Sequence, residues 1–117
     1  MIHGLGVDIT EIARIQHPQE RNAHFAAQVL TDAELRQFNA YSGRRAWEYL
    51  AGRFSAKESY SKAYGTGIGA VGWQDIEIID GGQGQPHVSG PFSGHAHVSI
   101  SHTDDLVMTE VILEEEN

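Results

Sequence analysis

The sequence predicts a single α+β domain in which helices, mainly from the first half, pack on an antiparallel sheet. Two observations favour this class. Helical periodicity and capping signals are concentrated before residue 65, and short strand-like segments follow, separated by turns rich in glycine, proline and serine. Helices and strands therefore do not alternate strictly, as they would in a parallel sheet. At 117 residues, the expected domain spans 1–117.

The chain opens with a predicted strand and a short predicted helix. Residues Ile2–Ile9 alternate apolar side chains with glycines and Asp8, which is typical of a half-buried strand with Asp8 on the glycine side. Thr10 is expected to cap a helix that runs through Ile15. Pro18 should end this helix, because a proline disfavours helical geometry in the residue before it.

Two further helices have clear end signals. Thr31 and Glu34 form a capping-box pattern, so a helix is expected to begin at Asp32. Ser42 can cap a long helix that ends before Gly65, a residue suited to the left-handed position after a helix.

The second half reads as strands joined by tight turns. The last predicted strand is followed by an acidic tail, 114–117, which we expect to be solvated and frayed. The predicted strands cover Asp75–Asp80, a stretch near His87-Val88, His97–Ser101 and Leu106–Leu113.

Composition narrows the classes of function. The net charge of −8 argues against nucleic acid as a partner. The opening residues lack a signal-peptide pattern and no apolar run could span a bilayer, so we expect a cytoplasmic protein without membrane contact. There are no cysteines, so a metal would need oxygen or imidazole ligands. All eight basic residues lie between Arg14 and Lys62, so an acidic partner is expected to dock on the first half.

Charged residues continue the apolar stripe of the long helix. Trp47, Leu50 and Phe54 follow a three- and four-residue spacing, which Glu58 and Lys62 extend. A charge taken out of water is costly unless it is paired, bound to a metal or facing a ligand cavity. Glu58 is therefore the most informative position, although periodicity by itself favours an ordinary surface pair between Glu58 and Lys62.

Asp8 also has two interpretations. The glycines beside it could let the strand approach a ligand or another backbone closely. Its carboxylate could instead cap the next helix, which the pattern by itself favours.

Three segments together resemble the holo-acyl-carrier-protein synthase family, in length and motif order over nearly the whole chain. They are Gly6-Val7-Asp8-Ile9-Thr10-Glu11-Ile12, Arg53-Phe54-Ser55-Ala56-Lys57-Glu58-Ser59-Tyr60-Ser61-Lys62-Ala63-Tyr64-Gly65-Thr66-Gly67, and His97-Val98-Ser99-Ile100-Ser101-His102.

The resemblance implies a 4'-phosphopantetheinyl transferase-like fold. It also implies transfer of 4'-phosphopantetheine from coenzyme A to a serine of apo-acyl carrier protein, which leaves adenosine 3',5'-bisphosphate and supports fatty acid biosynthesis. By the same resemblance, Asp8 and Glu58 bind Mg²⁺, with Mn²⁺ as the alternative ion, and Lys62 contacts the phosphates. Either Glu58 or a metal-bound water could accept the serine proton. A homotrimer with coenzyme A at the subunit interfaces is implied as well.

Further residues are expected around the nucleotide and the carrier protein. Arg53, Lys57 and His102 are placed near the 3'-phosphate, with Ser101 on the neighbouring strand and Gly65 in a loop whose amides suit phosphate. The candidates for docking an acidic carrier are Arg14, which the resemblance favours, and Arg21, Arg44 and Arg45.

Some alternatives remain open at this stage. His95, His97 and His102 could bind zinc, although such spacing is weakly specific. The whole chain could be a non-catalytic module that binds coenzyme A or a nucleotide, or a metal-dependent pyrophosphate hydrolase. Four positions depart from the family pattern, which favours smaller or more apolar residues there: Ser55, Ser59, Tyr64 and Met108.

Overall fold

A computed structural model describes residues 1–116 of the chain. The helices occupy the first half and all strands but one occupy the second, which confirms the α+β class. None of the described helices is both long and apolar enough to cross a membrane. The elements are β1 (Ile2–Glu11), α1 (Ile12–Arg21), α2 (His24–Val29), α3 (Asp32–Ala40), α4 (Gly43–Tyr64), a 3₁₀ turn (Trp73–Asp75), β2 (Glu77–Asp80), β3 (Pro86–Ser89), β4 (His95–His102) and β5 (Leu106–Glu114).

The strands form two antiparallel sheets. The larger sheet has the order β1-β5-β4, and β2 and β3 form a separate two-stranded hairpin. In the larger sheet Asp8 lies opposite Thr109, and Thr109 in turn lies opposite Ile100. The expected antiparallel pairing is therefore confirmed, and the last strand along the chain occupies the centre of the sheet.

One face of the central strand β5 is buried against α4. Side chains alternate between faces of a strand, so every second residue of β5 points towards the helix. Those inward residues are at most 1% exposed: Val107, Thr109, Val111 and Leu113. Thr109 is the polar member of this otherwise apolar row, and it lies next to Asp8.

Strand β1 approaches α4 so closely that two positions have no room for a side chain. A Cβ atom on Gly4 would lie 1.9 Å from the Ala63 carbonyl oxygen, and one on Gly6 would lie 1.9 Å from the Ser59 carbonyl oxygen. Asp8 is the next residue on this face of β1, and it accepts a hydrogen bond from Ser55, which lies one helical turn before Ser59. Two strand residues rise about 6.7 Å and four helix residues about 6.0 Å, so strand and helix stay in register.

The other face of the large sheet carries an exposed apolar patch, mainly on β1 and the start of β5. Its large hydrophobic side chains are 39–64% exposed, which makes an apolar patch unusual for an isolated soluble chain. The half-buried strand expected at Ile2–Ile9 therefore buries its glycine and Asp8 side and exposes its large apolar side. The patch consists of Ile2, Leu5, Val7, Ile9, Leu106 and Met108.

The predicted start signal of α3 and the predicted end signal of α4 are confirmed. Thr31 Oγ1 accepts a hydrogen bond from the Glu34 amide, and Glu34 Oε1 accepts one from the Thr31 amide, which completes the capping box. Gly65 ends α4 with φ at 101°, a left-handed conformation that suits glycine. Ser42 occupies the N-cap position of α4 without a side-chain hydrogen bond to the helix.

The predicted bounds of α1 were wrong at both ends. The helix continues through Pro18 to Arg21. Proline removes one helical hydrogen bond, and the residue whose carbonyl loses its partner, Arg14, is exposed, so water can replace the missing donor. Thr10 does not cap the helix, because its hydroxyl donates to Asp8 instead.

The acidic tail begins later than expected. Glu114 is the last residue of β5, and Glu115 continues the backbone pairing by donating its amide to the Met1 carbonyl. Glu116 is exposed, and the last residue of the expected tail, Asn117, lies outside the described residues.

The contact between β1 and α4 predicts a large effect of Gly6→Ala. The added methyl group would meet a helix backbone, which cannot turn aside as a flexible side chain could, so we expect a loss of about 3 kcal/mol in the free energy of unfolding. Gly82→Ala is the matched control, because no atom lies within 4 Å of its added Cβ. Urea unfolding followed by circular dichroism measures both; equal stabilities for the two variants would contradict the close packing.

Candidate active site

Asp8 lies near the end of β1 on the face that packs against α4. Its Oδ2 accepts hydrogen bonds from Thr10 Oγ1 at 2.6 Å and from Ser55 Oγ at 2.7 Å. The side chain is 15% exposed. The carboxylate therefore makes no helix-capping bond, and the interpretation in which the glycines allow a close approach is the one that the structure supports.

Two charged residues of α4 face Asp8. Lys62 Nζ lies 3.5 Å from Asp8 Oδ1 and donates a 2.9 Å hydrogen bond to the Val7 carbonyl. Glu58 is half-buried one helical turn before Lys62. Burial raises the pKa of Glu58, the Asp8 carboxylate raises it further, and Lys62 opposes the shift. Lys62 thus pairs with Asp8 across two elements, rather than forming the ordinary surface pair with Glu58.

This arrangement fits a hard cation. The Asp8 carboxylate disfavours the ionised form of its neighbour Glu58, and a divalent ion between the two would remove that repulsion. The described residues contain no cluster of three or more histidine, aspartate or glutamate side chains that could enclose a metal. Mg²⁺ commonly takes one or two carboxylates and completes its shell with water and substrate phosphate, so two carboxylates suit it.

Lys57, which was expected near the nucleotide, lies in the core instead. It is 0% exposed, and its ammonium group donates to Glu34 Oε1 at 2.6 Å, to the Val29 carbonyl at 2.7 Å and to the Trp73 carbonyl at 2.9 Å. Burial lowers its pKa, and the Glu34 carboxylate opposes that shift. All three ammonium hydrogens are used, so the prediction that Lys57 contacts coenzyme A is corrected: it joins α2, α3 and the 3₁₀ turn to α4.

Arg53 and His102 line one open cleft of about 370 Å³ between α4, β4 and the β2–β3 hairpin. Arg53 is 4% exposed; it donates to the Ile78 carbonyl at 3.0 Å and to Asp80 Oδ1 at 2.7 Å. His102 is exposed, and the exposed Arg45 also lines the cleft. The cleft is therefore polar with mixed charge, because Asp80 lies against Arg53 and Arg45, and Glu48 lies 3.6 Å from His102.

Gly65 and Ser101 lie elsewhere. The amides of Gly65, Thr66 and Gly67 all donate to the Ser61 carbonyl, at 3.0–3.2 Å, so the helix end uses them. These amides already have an acceptor within the chain, and the expectation that Gly65 lies beside a phosphate stays a prediction. Ser101 is exposed on β4, beside Met108 on the outer face of the large sheet.

The four candidate docking arginines differ in their surroundings. Arg14 and Arg21 are exposed on α1. Arg44 lies 3.1 Å from Glu48 and 2.8 Å from Asp104, both carboxylates of the same chain. Arg45 packs over the Tyr41 ring and lies 3.8 Å from Asp80. Of the four, the two on α1 therefore have the less compensated charges, which agrees with the preference for Arg14.

The three histidines of the zinc alternative do not converge. His95 lies 3.5 Å from Glu116, His97 lies 3.1 Å from Glu114, and His102 lies 3.6 Å from Glu48. His102 is thus at the cleft end of β4, whereas the other two face the end of β5.

Sequence reasoning missed the hydroxyl groups behind Asp8. Ser55 and Ser59 were noted only as departures from a family pattern, and Thr109 was not singled out. In the structure all three are at most 1% exposed and are hydrogen-bonded to one another. The available signal was the four-residue spacing of the two serines on a helix, which places them on one face.

Comparison of the sequence with known proteins identifies its family. Residues 4–111 match the family model for the 4'-phosphopantetheinyl transferase superfamily. The chain is 59% identical to a holo-[acyl-carrier-protein] synthase of Lacticaseibacillus casei, over 99% of this chain and 94% of the relative. It is 57% identical to one of Limosilactobacillus reuteri, over 100% of this chain and 99% of the relative.

A solved structure agrees with these matches. The crystal structure of a holo-(acyl-carrier-protein) synthase from Bacillus anthracis, in complex with CoA (3',5'-ADP), superposes with a TM-score of 0.93 at 39% identity and covers 99% of each chain. The fold and the site thus define a phosphopantetheinyl transferase. Within that superfamily, the chain belongs to the holo-[acyl-carrier-protein] synthase family.

The raised pKa of Glu58 predicts that Glu58→Gln stabilises the metal-free protein. A raised folded-state pKa means that the ionised carboxylate destabilises the fold; this penalty is full above the folded pKa and absent below the unfolded value, ~4.3. We expect the melting temperature at pH 7 in EDTA to rise by a few degrees, with the difference shrinking as the pH falls towards 4.

Glu20→Gln is the control for this experiment, because it removes the same charge from an exposed position on α1. It corrects for the general benefit of lowering a net charge of −8. A Glu58→Gln protein that melts no higher at pH 7 than the Glu20→Gln control would contradict the unfavourable burial of the Glu58 charge.

Proposed function

We propose that this chain transfers 4'-phosphopantetheine from coenzyme A to a serine of apo-acyl carrier protein. The observation that carries the proposal is the meeting of Asp8, Glu58 and Lys62 at the contact between β1 and α4, in a chain of this family. Two carboxylates and one ammonium group are a suitable set for a metal-assisted reaction at a pyrophosphate.

The reaction exchanges a phosphoanhydride bond of coenzyme A for a phosphate ester on the carrier. The serine Oγ of the carrier forms a bond to the β-phosphorus of coenzyme A, and the bond from that phosphorus to the bridging oxygen breaks. Adenosine 3',5'-bisphosphate leaves with the bridging oxygen, and the serine proton passes to a base at the site, for which Glu58 is the available side chain. The enzyme's task is mainly to hold the two reactants in line and to stabilise charge.

Each site residue has a part in this proposal. Asp8 and Glu58 would hold Mg²⁺, or Mn²⁺ in its place, and the bound ion would neutralise charge on the pyrophosphate. Lys62 is 52% exposed and sits on a flexible stem, so its ammonium group can turn from Asp8 towards a phosphate. Arg53 and His102 would bind the nucleotide end in their cleft, with Arg53 fixed by Asp80.

The division of these residues within one chain supports a shared site. Asp8, Glu58 and Lys62 do not line the cleft of Arg53 and His102. One molecule of coenzyme A can meet both groups if two copies of the chain each contribute one of them. We therefore propose a homotrimer that buries the exposed apolar patch of the large sheet, because apolar patches exposed to water commonly mark interfaces. Light scattering tests the assembly, and a mass of one chain would exclude it.

The decisive test of the function is the intact mass of an apo-acyl carrier protein incubated with this chain and coenzyme A. We expect the mass to rise by one phosphopantetheine with Mg²⁺ and to stay unchanged with excess EDTA. Binding of coenzyme A without a mass gain would favour a non-catalytic module. Release of adenosine 3',5'-bisphosphate without carrier modification would favour a hydrolase.

Docking on α1 predicts a selective effect of Arg14→Glu. An exposed arginine facing an acidic carrier protein contributes to encounter and to orientation, so reversing its charge should raise the KM for the carrier at least ~10-fold. The KM for coenzyme A should change little. Arg36→Glu is the matched control, because Arg36 is also exposed but lies on α3; an equal effect of the two variants would place docking elsewhere.

A further inference from the structure

Behind Asp8 lies a row of three buried hydroxyl groups. Ser59 Oγ is 2.7 Å from Thr109 Oγ1, Thr109 Oγ1 is 2.8 Å from Ser55 Oγ, and Ser55 Oγ is 2.7 Å from Asp8 Oδ2. Ser55 and Ser59 are 0% exposed and Thr109 is 1% exposed. The row therefore runs from the core between α4 and β5 to the carboxylate at the edge of the site.

The direction of the hydrogen bonds in this row follows from the chemistry of its end. Both Asp8 oxygens near Ser55, Oδ2 and the backbone carbonyl, are acceptors, so the single hydroxyl hydrogen of Ser55 points to Asp8. Thr109 must then donate to Ser55. Its hydrogen is thereby used, so Ser59 is the donor to Thr109, at 2.7 Å to the hydroxyl and with the Thr109 carbonyl as a second acceptor at 3.3 Å. All three hydroxyl groups are oriented towards the carboxylate.

The row saturates one oxygen of the carboxylate and leaves the other available. Oδ2 of Asp8 accepts from Ser55 and also from Thr10, which is 2% exposed. The other oxygen, Oδ1, lies 3.5 Å from the Lys62 ammonium group. Two donors on the same oxygen, one from β1 and one from α4, prevent the carboxylate from rotating about its terminal bond.

We propose that Ser55, Thr109 and Ser59, together with Thr10, are positioning residues that present Oδ1 of Asp8 to the metal ion. This inference rests on the proposed function, because it assigns the role of residues that touch a proposed ligand without touching the ion. Hydrogen bonds in such a row polarise one another, and the last one therefore holds the ionised carboxylate more firmly than a single serine would. Residues that orient a metal ligand in this way commonly change metal affinity by about 10–100-fold.

A purely structural role makes a different prediction. Buried hydroxyl groups need partners, and this row could simply satisfy its own members within the core. In that case their removal would change the stability of the fold and leave the affinity for the ion unaltered. The readout that separates the two roles is therefore the dissociation constant of Mg²⁺, measured directly.

The test compares three variants with one control. Ser55→Ala removes the donor to Asp8, and Thr109→Val removes only the second hydroxyl. The double variant removes both, and the Ser59 hydroxyl keeps the Thr109 carbonyl as an acceptor at 3.3 Å. Alanine is smaller than serine and favours helices, so Ser55→Ala should fold. Tyr60→Phe is the control: it removes a hydroxyl group from the same helix at a residue 1% exposed, where the lost bond is to the Phe92 amide, away from Asp8.

Mg²⁺ is titrated calorimetrically into each full-length protein mixed with coenzyme A, with a protein-free blank. We expect the dissociation constant to rise about 10-fold or more in Ser55→Ala and about 3-fold in Thr109→Val. The double variant should match Ser55→Ala, because Thr109 acts only through Ser55. Tyr60→Phe should bind Mg²⁺ as the unchanged chain does, and raised Mg²⁺ should restore most of the kcat of Ser55→Ala.

The outcomes separate this inference from the proposed function. If the unchanged chain shows neither Mg²⁺ binding with coenzyme A nor transfer to the carrier, the proposed function fails. If the unchanged chain binds Mg²⁺ and Ser55→Ala binds it equally well, the positioning role fails while the function stands. A double variant whose effect equals the product of the single effects would overturn the ordered row, because it would show that the two hydroxyl groups act independently.

Discussion

The close contact between β1 and α4 is the constraint on which the rest of the structure depends. Gly4 and Gly6 let the strand lie against the helix backbone, and Asp8 takes the next place on the same face. A strand advances in two residues only slightly farther than a helix does in four, so the two elements meet at a regular interval. The third meeting point is where a side chain first appears between them, and that side chain is the carboxylate of the proposed metal site.

Adjacent charges on α4 serve opposite purposes. Lys57 points into the core, where Glu34 and two backbone carbonyls use all of its hydrogens, and breaking such a buried pair commonly costs about 3–5 kcal/mol. Glu58 follows it directly but points towards Asp8, where burial and a like charge raise its pKa and Lys62 offsets only part of that shift. A fully satisfied charge stabilises the fold, whereas an unsatisfied one beside an open surface favours a ligand. The family motif contains both residues, and it does not distinguish them.

Much of the fold was predictable because its signals are local. The Thr31–Glu34 capping box and the end of α4 at Gly65 were predicted correctly, since each depends on a few neighbouring residues. The predicted end of α1 at Pro18 was wrong, because a helix can continue past one missing backbone hydrogen bond where the turn is exposed. For the site, the family resemblance suggested Asp8, Glu58 and Lys62, which the structure brings together, but it also suggested Lys57, which the structure buries.

The sequence by itself determined the α+β class, the start of α3, both ends of α4 and, through its motifs, the family, but it did not reveal α2. Those features follow from periodicity, capping and residue order, which are properties of the chain at short range. Only the tertiary structure decided where each charge points, which amides remain available, and that Ser55 and Thr109 meet behind Asp8. These depend on contacts between residues far apart in the sequence, such as Ser55 and Thr109, which are 54 positions apart, and a shift of one strand residue would have turned each side chain to the opposite face.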